Sequence, residues 1–172
     1  MSLVFAVIAG LLFAIPWSSA VAGLLGGDPA AAPVLWHELH AVAGVGFVLA
    51  LLELRNRYRG WFETRGRILL SLAVASAVAF AAANAGELLG LGAFFVPLYG
   101  VALVGLSLGL IGVGLTTRTL PPPLPVLLVA TGVAFPVALL LALAGPIVGF
   151  AGLMAYGLAW SGLGFVQLSR DP

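Results

Sequence analysis

Residues 36–67 read WHELHAVAGVGFVLALLELRNRYRGWFETRGR, and this stretch decides the fold. It contains both histidines of the chain, an uninterrupted apolar run over residues 41–52, and then five of the seven arginines. Those five are Arg55, Arg57, Arg59, Arg65 and Arg67. Because arginines concentrate beside the cytoplasmic ends of membrane spans, they predict an anchor for topology and for lipid headgroups. The stretch therefore predicts one transmembrane helix with ligand-type polar groups at its first end and positive charge at its last.

The composition of the whole chain points to the same environment. The 172 residues are 62% hydrophobic and 8% charged, and the mean hydropathy is +1.20. Soluble domains carry roughly a quarter charged residues, so lipid must be the main solvent of this chain. The net charge of +1 does not favour a nucleic-acid partner. Because the sequence has no cysteine, it excludes disulfides, thiolate nucleophiles, iron–sulfur clusters and cysteine-based zinc sites.

Six apolar stretches are long enough to cross a bilayer, since a spanning helix needs about 20 residues. They cover approximately residues 3–25, 34–54, 68–89, 93–115, 124–144 and 147–168. We therefore predict an all-α polytopic membrane protein. Its residues 1–172 would form a single domain, a bundle of six transmembrane helices without a soluble domain. The first stretch lacks the preceding basic residues of a signal peptide, so we interpret it as a true span.

The arginines also predict the orientation of the bundle. All seven lie on alternate connections: after the second span, after the fourth span and in the C-terminal tail. By the positive-inside rule these segments are cytoplasmic, which gives an N-in/C-in topology. We expect a multi-pass protein of the cell membrane of a prokaryote. Short connections make sequential spans antiparallel neighbours.

Small residues recur at helical spacing in the third and fourth spans. They are Ala73, Ala77, Ala81 and Ala85 in the third, and Gly105, Gly109 and Gly112 in the fourth. Such stripes let helix backbones approach closely in lipid. They predict either packing within one bundle or an interface with a second copy or another membrane subunit.

The polar residues that could carry chemistry gather on one side of the predicted topology. They are Asp28, His37, Glu38, His40, Asn84 and Glu87, all near the outer face. Residues three apart share a helix face, which groups His37 with His40 and Asn84 with Glu87. Two imidazoles with the Glu87 carboxylate suit a divalent metal. A histidine is also a haem ligand or a group that titrates in a proton relay.

These residues leave several functional interpretations open. The letters of a Gly-x-Ser-x-Gly nucleophile elbow occur at residues 105–109, but inside an apolar span rather than in a strand-to-helix turn. We therefore expect a non-enzymatic protein, either a small transporter or an accessory subunit of a membrane complex. Its substrate or proton site would use His37, His40, Asn84 and Glu87. A haem- or metal-binding redox subunit and a structural scaffold are the alternatives, and the sequence itself requires no cofactor.

Overall fold

The computed structural model describes residues 4–28, 35–117 and 119–168. Over these residues the chain forms six α-helices and no β-strand. Their bounds are α1 Val4–Leu25, α2 Trp36–Arg57, α3 Thr64–Leu88, α4 Gly92–Thr116, α5 Leu124–Ala142 and α6 Pro146–Leu168. Each helix is long and apolar enough to cross a membrane. The prediction of an all-α bundle of six membrane-spanning helices is therefore confirmed.

Helices α2 and α3 extend beyond the apolar segments from which they are predicted. The predicted second span ends at residue 54, whereas α2 continues to Arg57; the predicted third span begins at 68, whereas α3 begins at Thr64. Polar and charged residues are good helix formers once the chain has left the hydrocarbon layer. Hydropathy therefore marks where the membrane is crossed rather than where the helix ends.

The helices form a closed ring in chain order. Each helix packs on its neighbours in the sequence, and α6 packs on α1. The closest approaches between α3 and α4 pair Ser76 with Gly105 and Ala73 with Gly109, as an antiparallel arrangement requires. The Ser161 hydroxyl of α6 donates to the Val7 carbonyl of α1 at 3.0 Å. Connections therefore alternate between the two ends of the bundle.

Charge divides between these two ends, which we name by their residues. The histidine end holds the α1–α2, α3–α4 and α5–α6 connections, and it carries the carboxylates of Asp28, Glu38 and Glu87. The arginine end holds the α2–α3 and α4–α5 connections. It carries the five arginines of the predicted anchor, Arg55, Arg57, Arg59, Arg65 and Arg67. Residues 118 and 170, the remaining two arginines, lie outside the described residues.

The glycines of α4 pack closely against α3 of the same ring. A Cβ atom placed on Gly109 would lie 2.8 Å from the Cβ of Ala73, and one on Gly112 would lie 2.8 Å from a methyl group of Leu69. Both neighbours belong to α3 of the same chain. The geometry therefore supports the interpretation of this stripe as packing within one bundle, while an interface between chains stays a prediction.

Aromatic side chains fill the interior of the ring. The fully buried ones are Phe13, Phe47, Phe80, Tyr156 and Trp160, contributed by four different helices. Phe47 stacks on Trp160 with ring centroids 4.4 Å apart, and Phe13 meets the edge of Tyr156 at 5.3 Å. Tyr156 and Trp160 therefore pack between helices. The ring encloses a packed core rather than an open channel.

The two connections at the arginine end are tied to each other. The Thr119 hydroxyl donates to the Trp61 carbonyl at 2.7 Å, across 58 residues of sequence. Phe62, next along the chain, is buried, and its carbonyl accepts a hydrogen bond of 2.9 Å from Nε of Arg67. The first bond joins the α2–α3 connection to the α4–α5 connection, and the second ties the α2–α3 connection to the start of α3.

Candidate functional site

The imidazole of His40 lies inside the ring with no exposed surface. Its Nε2 is 3.3 Å from the carbonyl oxygen of Phe13, and the two rings are stacked with centroids 4.5 Å apart. A carbonyl oxygen can only accept, so Nε2 carries the proton in the neutral ring and Nδ1 is an acceptor. Within the described part of the chain, Nδ1 has no hydrogen-bond partner. His40 therefore presents an unused acceptor to the interior of the bundle.

Five aromatic side chains surround His40, and we call them the aromatic box. They are Phe13, Trp17, Trp36, Phe80 and Tyr99, with ring centroids 4.5, 5.5, 6.0, 5.8 and 6.2 Å from that of His40. They come from the first four helices of the ring. Packing of these helices therefore converts a polar residue of a membrane span into the centre of an aromatic cluster.

The aromatic box also contains other polar atoms that lack partners among the described residues. They are Nε1 of Trp17 and, beside the box, Oδ1 of Asn84, whereas Trp36 and the hydroxyl of Tyr99 interact with each other. The other amide atom of Asn84, Nδ2, donates to the Phe80 carbonyl at 2.8 Å. An unpaired buried polar group costs about 1–3 kcal/mol. Unpaired donors and acceptors thus lie together in a buried region where each lowers the stability of the fold.

A cavity of about 110 Å³ opens at the histidine end, directly above the aromatic box. We call it the histidine-end cavity; its lining residues are Trp36, His37, Ala83, Glu87, Val96 and Tyr99. The ring of His37 lies flat on that of Trp36, with an interplanar angle of 8° and centroids 5.2 Å apart. Trp36 and Tyr99 belong both to the box and to the cavity, so the two spaces adjoin.

The carboxylate of Glu87 lies at the edge of this cavity and against the first residue of α4. A Cβ atom on Gly92 would be 2.6 Å from Oε2 of Glu87, so only glycine allows this approach. The N-terminus of a helix carries partial positive charge and favours a carboxylate. The start of α4 therefore favours the Glu87 carboxylate at this position.

Buried polar atoms continue from the box toward the arginine end. Below the box the hydroxyl of Tyr156 interacts with Ser107 and Trp160. Further along, the buried atoms without a partner among the described residues are Oε2 of Glu53, the hydroxyl of Thr117 and Oε1 of Gln167. At about 1.5 Å of rise per residue, Trp160 and Gln167 lie roughly 21 and 31 Å from the start of α6. Polar atoms therefore occur along the whole length of the ring.

The structure distributes the predicted site residues over two layers. His37 and Glu87 line the histidine-end cavity, whereas His40 and Asn84 are fully buried below it. Glu38 is exposed and turns away from the cavity, as its offset of one residue from His37 requires. Asp28 lies at the exposed end of α1. Sequence reasoning missed Phe13, Trp17 and Tyr99 as members of the site.

The three predicted metal ligands, His37, His40 and Glu87, do not meet at one point. Over residues 4–28, 35–117 and 119–168, no three side chains of metal-ligating type gather in an arrangement that could hold an ion. His37 and Glu87 share the cavity, while the Nε2 of His40 is directed to the Phe13 carbonyl. A haem- or metal-binding role stays a prediction.

The fold and the site together define a class. A ring of six apolar helices is a multi-pass integral membrane protein, and its environment is the lipid bilayer. No protein-family model, curated protein or solved structure matches the chain. Its function is therefore argued from the chemistry of the site itself.

Proposed function

We propose that the protein is a non-enzymatic membrane transporter that binds its solute in the histidine-end cavity. One observation carries this proposal: below the cavity, Nδ1 of His40 and Oδ1 of Asn84 are buried acceptors without a hydrogen-bond partner among the described residues. Polar groups at membrane depth are costly and mark substrate or ion pathways. A bundle that only had to pack would place apolar side chains at these positions.

The cavity and the aromatic box would act in succession. A volume of about 110 Å³ corresponds to three or four water molecules at roughly 30 Å³ each, which suits a small solute. Below it, Nδ1 of His40 and Oδ1 of Asn84 would replace hydrogen bonds that the solute loses on leaving water.

Phe13 would block passage further down, because its ring stacks on that of His40 and also contacts the ring of Tyr156. Passage requires this ring to move. Pro16 lies one turn away within α1, and prolines inside membrane helices remove a backbone hydrogen bond and allow bending. The structure then corresponds to a state that is open to the histidine end and closed below it.

The orientation that we propose is N-in/C-in, in the plasma membrane of a prokaryote. The exposed Arg55, Arg59 and Arg65 would face the anionic cytoplasmic leaflet, where each basic side chain contributes about 1 kcal/mol. The histidine-end cavity would then collect its solute from outside the cell.

Uptake into proteoliposomes tests the proposal. Purified protein is reconstituted and offered radiolabelled methylammonium, urea, glycerol or acetate, which cover a cation, two neutral solutes and an anion. We expect protein-dependent uptake of at least one of them, reduced roughly tenfold or more by His40→Phe, since an interior hydrogen-bonding group contributes on the order of 1.4 kcal/mol or more. Ser76→Ala is the matched control, because Ser76 is a buried polar residue that lies against Gly105 and has no ring contact with His40. Absence of uptake for all four solutes with correctly inserted protein would overturn the transport proposal.

A further inference from the structure

We infer that a cavity at the arginine end binds the headgroup of a zwitterionic phospholipid that carries a primary ammonium, the phosphoethanolamine type. We call it the arginine-end cavity; it measures about 530 Å³ and is lined by Gly60, Trp61, Phe62, Glu63, Arg67 and Thr119. It lies at the opposite end of the bundle from the proposed solute site, so lipid binding here does not depend on transport.

The arginine-end cavity lies at the depth of the lipid headgroups. Arg67 is followed directly by Ile68, which opens the third apolar stretch and is 64% exposed, so the hydrocarbon layer begins one residue beyond Arg67. Trp61 is 49% exposed, and amphipathic aromatic rings prefer the membrane–water interface. Phospholipid headgroups therefore surround this cavity whenever the protein is in its bilayer.

The guanidinium group of Arg67 is prepared to bind the phosphate. Its Nε donates to the carbonyl oxygen of Phe62 at 2.9 Å, and Phe62 itself is buried. That bond fixes the side chain through Nε and leaves the two Nη groups for a phosphate, which guanidinium binds with paired N–H donors. Helix α3 begins at Thr64, and the partial positive charge of a helix N-terminus also favours a phosphate nearby.

The carboxylate of Glu63 supplies the complementary charge for the ammonium. It lines the same cavity, four residues before Arg67, and it makes no capping hydrogen bond to α3. Within the described part of the chain no ion pair joins Glu63 to Arg67. Two opposite charges that do not neutralise each other match a headgroup in which a short two-carbon bridge joins phosphate to ammonium.

The same two side chains discriminate among headgroups. A primary ammonium donates N–H groups to a carboxylate, whereas the quaternary ammonium of phosphocholine has no N–H to donate. A phosphoglycerol headgroup would satisfy Arg67 but bring no positive charge to Glu63. We therefore expect phosphatidylethanolamine to bind more tightly than lipids with either of the other headgroups.

Native mass spectrometry of the delipidated full chain in detergent tests the inference. The protein is titrated with phosphatidylethanolamine, phosphatidylglycerol or phosphatidylcholine of identical acyl chains. We expect phosphatidylethanolamine to bind roughly threefold more tightly than the other two, the size of an exposed ion pair. Glu63→Gln should abolish this preference. Glu38→Gln is the matched control, because it removes an exposed carboxylate at the opposite end of the bundle and should leave the preference intact.

A second variant tests the phosphate contact separately. Arg67→Gln should weaken all three lipids, whereas Arg55→Gln, which removes an exposed arginine outside the cavity lining, should not. Equal binding of the three lipids by the wild type, or an unchanged preference in Glu63→Gln, would overturn the inference. An equal loss in Arg55→Gln and Arg67→Gln would also overturn it, because the attraction would then come from the overall charge of this end rather than from the cavity.

Discussion

The contact between α3 and α4 makes a quantitative prediction for Gly109→Ala. The added Cβ atom would lie 2.8, 2.9 and 3.0 Å from the Cβ, backbone nitrogen and Cα of Ala73. Carbon atoms pack best at about 3.5–4.0 Å, so the two helices must separate by roughly 0.5–1 Å. Because the obstacle is largely backbone, it cannot rotate away. Overpacking of this kind costs about 1–3 kcal/mol.

The assay is thermal unfolding in mild detergent, followed by tryptophan fluorescence. A loss of about 2 kcal/mol corresponds to a fall in Tm of roughly 4–8 °C for a chain of this size. Gly100→Ala is the matched control, because it lies on the same helix and, beyond its local helix backbone, no atom of the described residues lies within 4 Å of the new Cβ. Its Tm should stay level or rise, since alanine is favoured over glycine in a helix by roughly 0.5–1 kcal/mol.

The same reasoning predicts a smaller fall in Tm for a substitution at Gly112. At Gly112 the obstacle is the flexible end of the Leu69 side chain, which can change rotamer, so Gly112→Ala should lower Tm less than Gly109→Ala does. If Gly109→Ala and Gly100→Ala had the same Tm, the close approach of α3 and α4 would be wrong.

Two further predictions concern the ends of the bundle. Leu89 is 76% exposed in the α3–α4 connection, and Gly60 lies open in the α2–α3 connection. The chain has no cysteine of its own, so a single introduced cysteine can be labelled selectively. Leu89→Cys should react with an impermeant maleimide outside intact cells, and Gly60→Cys should react only after permeabilisation. The reverse pattern would invert the proposed topology. Thr119→Val removes the exposed bond to the Trp61 carbonyl and should lower stability by about 0.5–1 kcal/mol, measured as a Tm shift with uptake unchanged. An unaltered Tm would show that the two connections do not support each other.

The fold could be predicted from the sequence because lipid imposes few alternatives. Six apolar stretches of sufficient length dictate six helices, since helices satisfy their own backbone hydrogen bonds in the bilayer. The helix ends of α2 and α3 were predicted less well, because helix formation continues into the charged segment around Arg57 and Thr64. The packing of α6 on α1 joins residues far apart in sequence, and no local sequence pattern predicts it.

The site was predicted in part. Histidines and carboxylates are recognisable as candidate ligands from the sequence. They identified His37 and Glu87, which share the histidine-end cavity, and His40, which lies below it. Residues 37 and 40 are separated by about 60° around the helix, which is enough to place one at a cavity and the other in the core. Tyr99 was missed as a site residue, although its position two turns into α4 brings its ring to 6.2 Å from that of His40. That position was the signal that could have found it.

The closure of the ring has a consequence for biosynthesis. Ser161 bonds to Val7 across 154 residues, and Tyr156 supplies one wall of the space around Phe13. Helices enter the membrane in order as they are translated, so α1 must reside there without its partner until the sixth helix has emerged. A five-helix intermediate leaves the aromatic interior open to lipid on one side. The aromatic interior is therefore enclosed only at the end of synthesis, although the histidine-end cavity is lined by α2, α3 and α4 alone.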